Sequence, residues 1–152
     1  MQIAVWQIVV ITVLAFVYRI ERYGTQVLNY NAVFYAWLVG LILGDGATGL
    51  AIGASVQLMS LGVAAIAGSS VPDWPLGAMV GTVITITTGQ DMGVGLAAGI
   101  AVGTLGVQLD VVAKVLNGFT ARKQAAYAQA GEYGKMKRVT FLGPLFFGLT
   151  DA

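Results

Sequence analysis

Leu43-Gly44-Asp45-Gly46-Ala47-Thr48-Gly49-Leu50-Ala51-Ile52-Gly53-Ala54-Ser55-Val56-Gln57-Leu58-Met59-Ser60-Leu61-Gly62 is the stretch on which the fold turns. It joins two apolar runs, Ala32 to Leu43 and Gly49 to Ala67, through a Gly-Asp-Gly break. Ala32 to Leu43 falls well short of the about 20 residues that a perpendicular membrane span requires. Short apolar segments broken by glycine, proline or a carboxylate mark re-entrant hairpins and discontinuous helices, because irregular backbone at membrane depth must line a cavity or be buried in protein.

The rest of the chain has the same character. Apolar residues make up 57% of it and charged residues 10%. Soluble domains carry about 25% charged residues, so this chain is too poor in charge to cover a water-facing surface. Four further runs surround the first two: Ile3 to Val17, Leu76 to Thr88, Val94 to Leu109 and Val139 to Leu149. Trp6 and Tyr18 are expected at the membrane interfaces, and Arg19 to Gly24 as a polar turn. The clearest break is Gly68-Ser69-Ser70-Val71-Pro72-Asp73-Trp74-Pro75, which cannot continue a helix. A polar region begins at Asp110 and Lys114 and holds a helix-prone stretch, Ala121 to Ala130. The expected fold is therefore all-α: a polytopic integral membrane protein with several transmembrane helices and re-entrant hairpins. No cleavable leader is expected at the N-terminus, which lacks a basic region and a small-residue cleavage site.

An internal echo runs through it. Asp45-x-x-x-Gly49-Leu50-Ala51-x-Gly53 matches Asp91-x-x-x-Gly95-Leu96-Ala97-x-Gly99 without gaps. It reads either as chance in a Gly- and Ala-rich chain or as a structural repeat of the kind transporters use. Gly49 and Gly53, and Gly95, Gly99 and Gly103, have GxxxG spacing, which lets two helix backbones approach closely.

Polar residues in apolar surroundings are the binding candidates. A carboxylate deep in lipid costs roughly 2.5–3.5 kcal/mol on insertion scales, so each one needs a reason. Asp45 and Asp91 read first as caps for helices that begin just after them; otherwise they, or Asp73, accept hydrogen bonds from solute hydroxyls. Gln57 sits among apolar and small neighbours, and its amide offers donors and acceptors together. That suits a polyhydroxylated solute or, equally, a bond to a neighbouring helix. Gln108 is a weaker case of the same kind.

With neither Cys nor His, the chain lacks thiolate and imidazole nucleophiles and the usual transition-metal ligands. No cofactor, metal site or catalytic residue is expected on it. The net charge of +1 suggests no nucleic-acid partner. Five of the eight basic residues, Arg122, Lys123, Lys135, Lys137 and Arg138, cluster late in the chain. The positive-inside rule makes the loop 117–138 cytoplasmic.

The block from Leu43 to Gly62, the later glycine-rich segment and Tyr127-Ala128-Gln129-Ala130-Gly131 resemble the IIC subunit of mannose/sorbose-family sugar phosphotransferase systems. The resemblance covers nearly the whole chain. It implies a permease subunit in the inner (plasma) membrane that pairs with a IID membrane subunit, forms an oligomer, and passes a hexose-type sugar to cytoplasmic IIA and IIB proteins. IIB phosphorylates the sugar, and the phosphorylated histidines belong to IIA and IIB, which agrees with a chain that has none. By resemblance, Gln57 faces the sugar path, with Asp73 and Asp91 as further candidates. IIC chains are longer, so residues 1–152 correspond to the N-terminal portion of such a subunit. Two other expectations stand beside this one: a different small-solute channel or transporter subunit, and an inactive shortened remnant.

Overall fold

A computed structural model describes residues 3–23, 27–28, 31–63 and 70–140, and within them the regular structure is helical. The helices are α1 (Val5–Tyr23), α2 (Ala32–Leu43), α3 (Gly46–Ser60), α4 (Trp74–Thr88), α5 (Met92–Gln129) and α6 (Tyr133–Thr140). At 1.5 Å per residue α2, α3 and α4 are about 18–22 Å long, against a hydrocarbon core of about 30 Å. They cannot cross it upright. With its 38 residues, α5 is long and apolar enough to cross a membrane. The last apolar run beyond Thr140, together with Ala64 to Ser69, lies outside the described residues.

Two helical hairpins form the centre. The first is α2–α3. Gly44 ends α2 in the left-handed conformation (φ 89°), which glycine adopts without a Cβ penalty, and Asp45 caps α3 by accepting from the Thr48 N–H at 3.0 Å. The second is α4–α5. Gly89 ends α4 the same way (φ 65°), and Asp91 caps α5 through the Gly93 N–H at 3.0 Å. The capping reading of both aspartates therefore holds.

The sequence echo is a structural repeat. Gly53 packs on the backbone of α2, so that a Cβ there would lie 2.7 Å from the Cα of Val33. Its counterpart Gly99 meets the carbonyl of Gly77 on α4. Gly49 faces Ala36 and Gly40, and its counterpart Gly95 faces Gly81 and Thr85. Each hairpin thus has its second arm seated on its first arm in one register, which the small-residue stripes make possible.

The hairpins lie side by side in the same direction. Tyr18 of α1 shows this: its ring packs edge-on against Tyr35 in the first turn of α2, with centroids 4.8 Å apart. Its hydroxyl donates to Asp73 at the start of α4 at 2.6 Å. At the far end of α1, the Gln7 amide donates to the Ile42 carbonyl at 2.8 Å, so α1 runs antiparallel to both.

Three expectations are corrected. Arg19 to Tyr23 is not a turn; α1 continues through it, because Arg19 and Arg22 fall on one face and both reach Asp73. Tyr18 is not an interfacial anchor; it is buried, held by Tyr35 and Asp73. The polar region from Asp110 does not end the fifth helix. Asp110 is buried, accepts from Ser70 Oγ at 2.6 Å and pairs with Lys114 at 2.8 Å, so its charge is satisfied and α5 runs on to Gln129.

Candidate functional site

The N-terminus of α2 and the C-terminal turn of α3 build one open cleft of about 420 Å³. Its lining is Asn31, Val33, Phe34, Trp37, Leu50 and Gln57. Asn31 caps α2, its Oδ1 accepting from the Phe34 N–H at 3.0 Å. A helix start leaves four N–H groups without helical partners. Here a second one is satisfied from the neighbouring helix, since Gln57 Oε1 accepts from the Ala32 N–H at 2.7 Å. Gln57 Nε2 donates to Ser60 Oγ at 3.1 Å, and Ser60 Oγ donates to the Gln57 carbonyl at 2.7 Å. The amide is thus fixed in orientation while a second N–H and a second lone pair remain for a solute.

Phe34 and Trp37 stand one turn apart on the same side of α2, ring centroids 6.5 Å apart. The cleft therefore offers carboxamides at one end, aromatic faces along one wall and no charged residue in its lining. Such a surface fits a neutral ring that has apolar C–H faces and hydroxyls at its edge.

Asp73 has a different setting. It is 1% exposed and caps α4 through the Leu76 N–H at 3.2 Å. One oxygen also accepts from the Tyr18 hydroxyl, and the other pairs with Arg19 at 2.7 Å and with Arg22. Its backbone N–H donates to the Gly103 carbonyl at 2.8 Å. One residue thus ties α1, α4 and α5 together. Glu21, on the same turn of α1, accepts from the Leu28 N–H at 2.7 Å.

The five residues singled out in the sequence do not share one site. Gln57 lines the cleft and Asp73 lies in the ion-pair cluster. Asp45 sits at the other end of α3, about 18 Å from Gln57 at 1.5 Å per residue. Asp91 caps the second hairpin turn, and Gln108 is exposed on α5. Asn31, Phe34 and Trp37 were not singled out as binding residues. The signals for them were an Asn just before an apolar run and two aromatics spaced i, i+3 on one helix face.

A family model described as the PTS system sorbose-specific IIC component matches residues 5–151. The putative N-acetylgalactosamine permease IIC component 2 of Escherichia coli (strain K12) is 35% identical over 104 residues, 67% of this chain and 78% of that protein. The fructose permease IIC component of Bacillus subtilis (strain 168) is 28% identical over 125 residues, 82% of this chain and 46% of that protein. The mannose-specific EIIC component of Escherichia coli (strain K12) is 25% identical over 142 residues, 93% of this chain and 52% of that protein. The chain spans about half the length of these last two relatives. Among solved structures, a chain of the cryo-EM complex of the mannose transporter ManYZ with microcin E492 superposes with a TM-score of 0.90 at 22% identity, over 99% of this chain and 61% of that one. The fold is that of a multi-helix membrane protein.

Proposed function

The chain belongs to the sorbose-specific IIC component family of phosphotransferase systems, and from that premise we propose that it is a membrane permease subunit that binds and translocates a hexose-type sugar. The observation that carries the reading is the uncharged cleft, with two carboxamides facing an aromatic wall at the open side of a hairpin too short to span the bilayer. The sugar ring lies against Phe34 and Trp37, and its hydroxyls bond Gln57 and Asn31. Asp73 acts indirectly, by holding α1 against the hairpins. Asp45 and Asp91 hold the two hairpin turns, and Gln108 has no assigned contact with the sugar.

The chemistry falls to other subunits. With no His and no Cys, this chain carries no phosphoryl group on those side chains. A cytoplasmic IIB protein, charged by IIA, phosphorylates the arriving sugar, and a IID membrane subunit completes the pathway. The basic ends of α5 and α6, within 117–138, lie on the cytoplasmic side of the inner membrane, as the positive-inside rule requires.

Gln57→Ala is the test. It removes a hydrogen-bond partner of the sugar and uncaps Ala32, a loss of about 1–2 kcal/mol. The apparent affinity for sugar, measured with purified chain by the change in tryptophan fluorescence, should weaken about tenfold. Trp37→Phe keeps the aromatic wall but removes the cleft's tryptophan, so its affinity is read by equilibrium dialysis and should weaken less. Unchanged affinity in folded Gln57→Ala protein would remove the cleft from the sugar path.

A further inference from the structure

Asn31 is an exposed residue that precedes α2, and what it contributes to the cleft depends on how it is held. Its Oδ1 is committed to the Phe34 N–H, so Nδ2 is the donor it offers to a solute. The direction of Nδ2 follows from the backbone that enters Asn31. That entry is a turn, in which the Asn31 N–H donates to the Leu28 carbonyl at 3.2 Å. The Leu28 side chain packs on the core cluster that holds Tyr18 and Tyr35. Its backbone N–H donates to Glu21 Oε1 at 2.7 Å, seven residues back on α1.

Glu21 is itself held in place. It is half-buried, where a charge is costly unless donors satisfy it. Its Oε2 accepts from the Tyr35 hydroxyl at 3.4 Å. Tyr35 is 2% exposed, and its backbone N–H donates to the Asn31 carbonyl at 3.4 Å. The four residues thus close a circuit of hydrogen bonds: Glu21 to Leu28, Leu28 to Asn31, Asn31 to Tyr35, and Tyr35 back to Glu21. Arg19 and Arg22, beside Glu21 on α1, bind Asp73, which fixes the height of that circuit against α4. Glu21 is not part of the cleft lining.

We infer, taking the cleft as the sugar site, that Glu21 is a positioning residue for it. Glu21 touches no sugar. It holds the Leu28 peptide, and through that turn it aims the Asn31 carboxamide. Hydrogen bonds weaken steeply as their angle departs from linear, so a polar contact needs such support behind it. A carboxylate that only tethered the chain between α1 and α2 would change stability and leave affinity alone. Aiming Asn31 changes affinity, and does so only while Asn31 is present.

The test is sugar affinity, read by equilibrium dialysis on the purified full chain, with the tightest-bound of a panel of aldo- and ketohexoses as the probe. Glu21→Ala and Asn31→Ala should each weaken binding about tenfold, the loss of about one hydrogen bond. Combined, they should weaken it no further than Asn31→Ala alone, because both act through one contact. Glu21→Gln keeps the acceptor for Leu28 and should bind close to the unsubstituted chain. Glu21→Leu, of similar length and with no acceptor, replaces Glu21→Ala where the latter fails to insert. Unchanged affinity in inserted Glu21→Ala or Glu21→Leu, beside a loss in Asn31→Ala, would overturn the positioning role and leave the cleft standing. So would a double variant clearly weaker than Asn31→Ala, or Glu21→Gln as weak as Glu21→Ala. No hexose bound by the unsubstituted chain, or no loss in either Asn31→Ala or Gln57→Ala, would overturn the cleft and the role of Glu21 together.

Discussion

Asp73→Asn should destabilise the folded chain by about 3–5 kcal/mol, the range found when one partner is removed from a buried ion pair. Asparagine can still accept the Leu76 N–H, so the helix cap, itself worth about 1 kcal/mol, survives. What is lost is the carboxylate that Arg19 and Arg22 both face. Arg19 is 0% exposed and Asp73 1% exposed, so water screens neither. Unfolding by denaturing detergent in mixed micelles measures the loss. Combining Asp73→Asn with Arg19→Gln and Arg22→Gln should recover much of it, because the two cations that faced the lost carboxylate go as well. A triple variant no more stable than Asp73→Asn alone would show that the cap or the Tyr18 bond, not charge balance, holds α1 in place.

Gly99→Leu and Gly53→Leu form the second test, and they should act alike. Each glycine faces backbone of the preceding helix: the Gly77 carbonyl for Gly99, and the Cα of Val33 for Gly53. Backbone cannot swing aside as a side chain does, so the added atoms must push the two arms of a hairpin apart. Overpacking in a tight seam typically costs about 1–3 kcal/mol, and a backbone wall on both helices puts these variants at about 3 kcal/mol or above. Gly118→Ala is the control. Nothing lies within 4 Å of a Cβ at that exposed position in α5, so it should gain about 0.5–1 kcal/mol from helix propensity. Large loss at Gly99 with none at Gly53 would separate the two hairpins and dissolve the repeat.

Much of this architecture was legible in the chain. The Asp-x-x-x-Gly-Leu-Ala-x-Gly echo marks both hairpin turns and both close seams, because capping and small-residue packing are local demands written at fixed spacings. The shortness of the apolar runs foretold helices that cannot span. What was not legible depends on partners far away in sequence. Arg19 looked like the end of a membrane segment, and only Asp73, brought to it by the fold, makes it an interior residue. Asp110 looked like the start of a polar region beyond the fifth apolar run, and its pairing with Ser70 and Lys114 lets the helix continue. The same limit applied to the cleft. Gln57 stood out because an amide in an apolar run needs a partner, while Asn31, Phe34 and Trp37 look unremarkable until α3 brings Gln57 beside them. Asp73, a binding candidate by sequence, has four donors around its carboxylate.

Sugar carriage by this chain is the step on which the proposed function depends. Its most direct test is uptake in cells that lack their own mannose-family permease, with this chain co-expressed with cognate IID, IIA and IIB proteins and with Gln57→Ala beside it. Phosphorylated sugar should accumulate in dependence on the chain and fall about tenfold in the variant at limiting sugar. Accumulation that is the same with and without the inserted chain would contradict it.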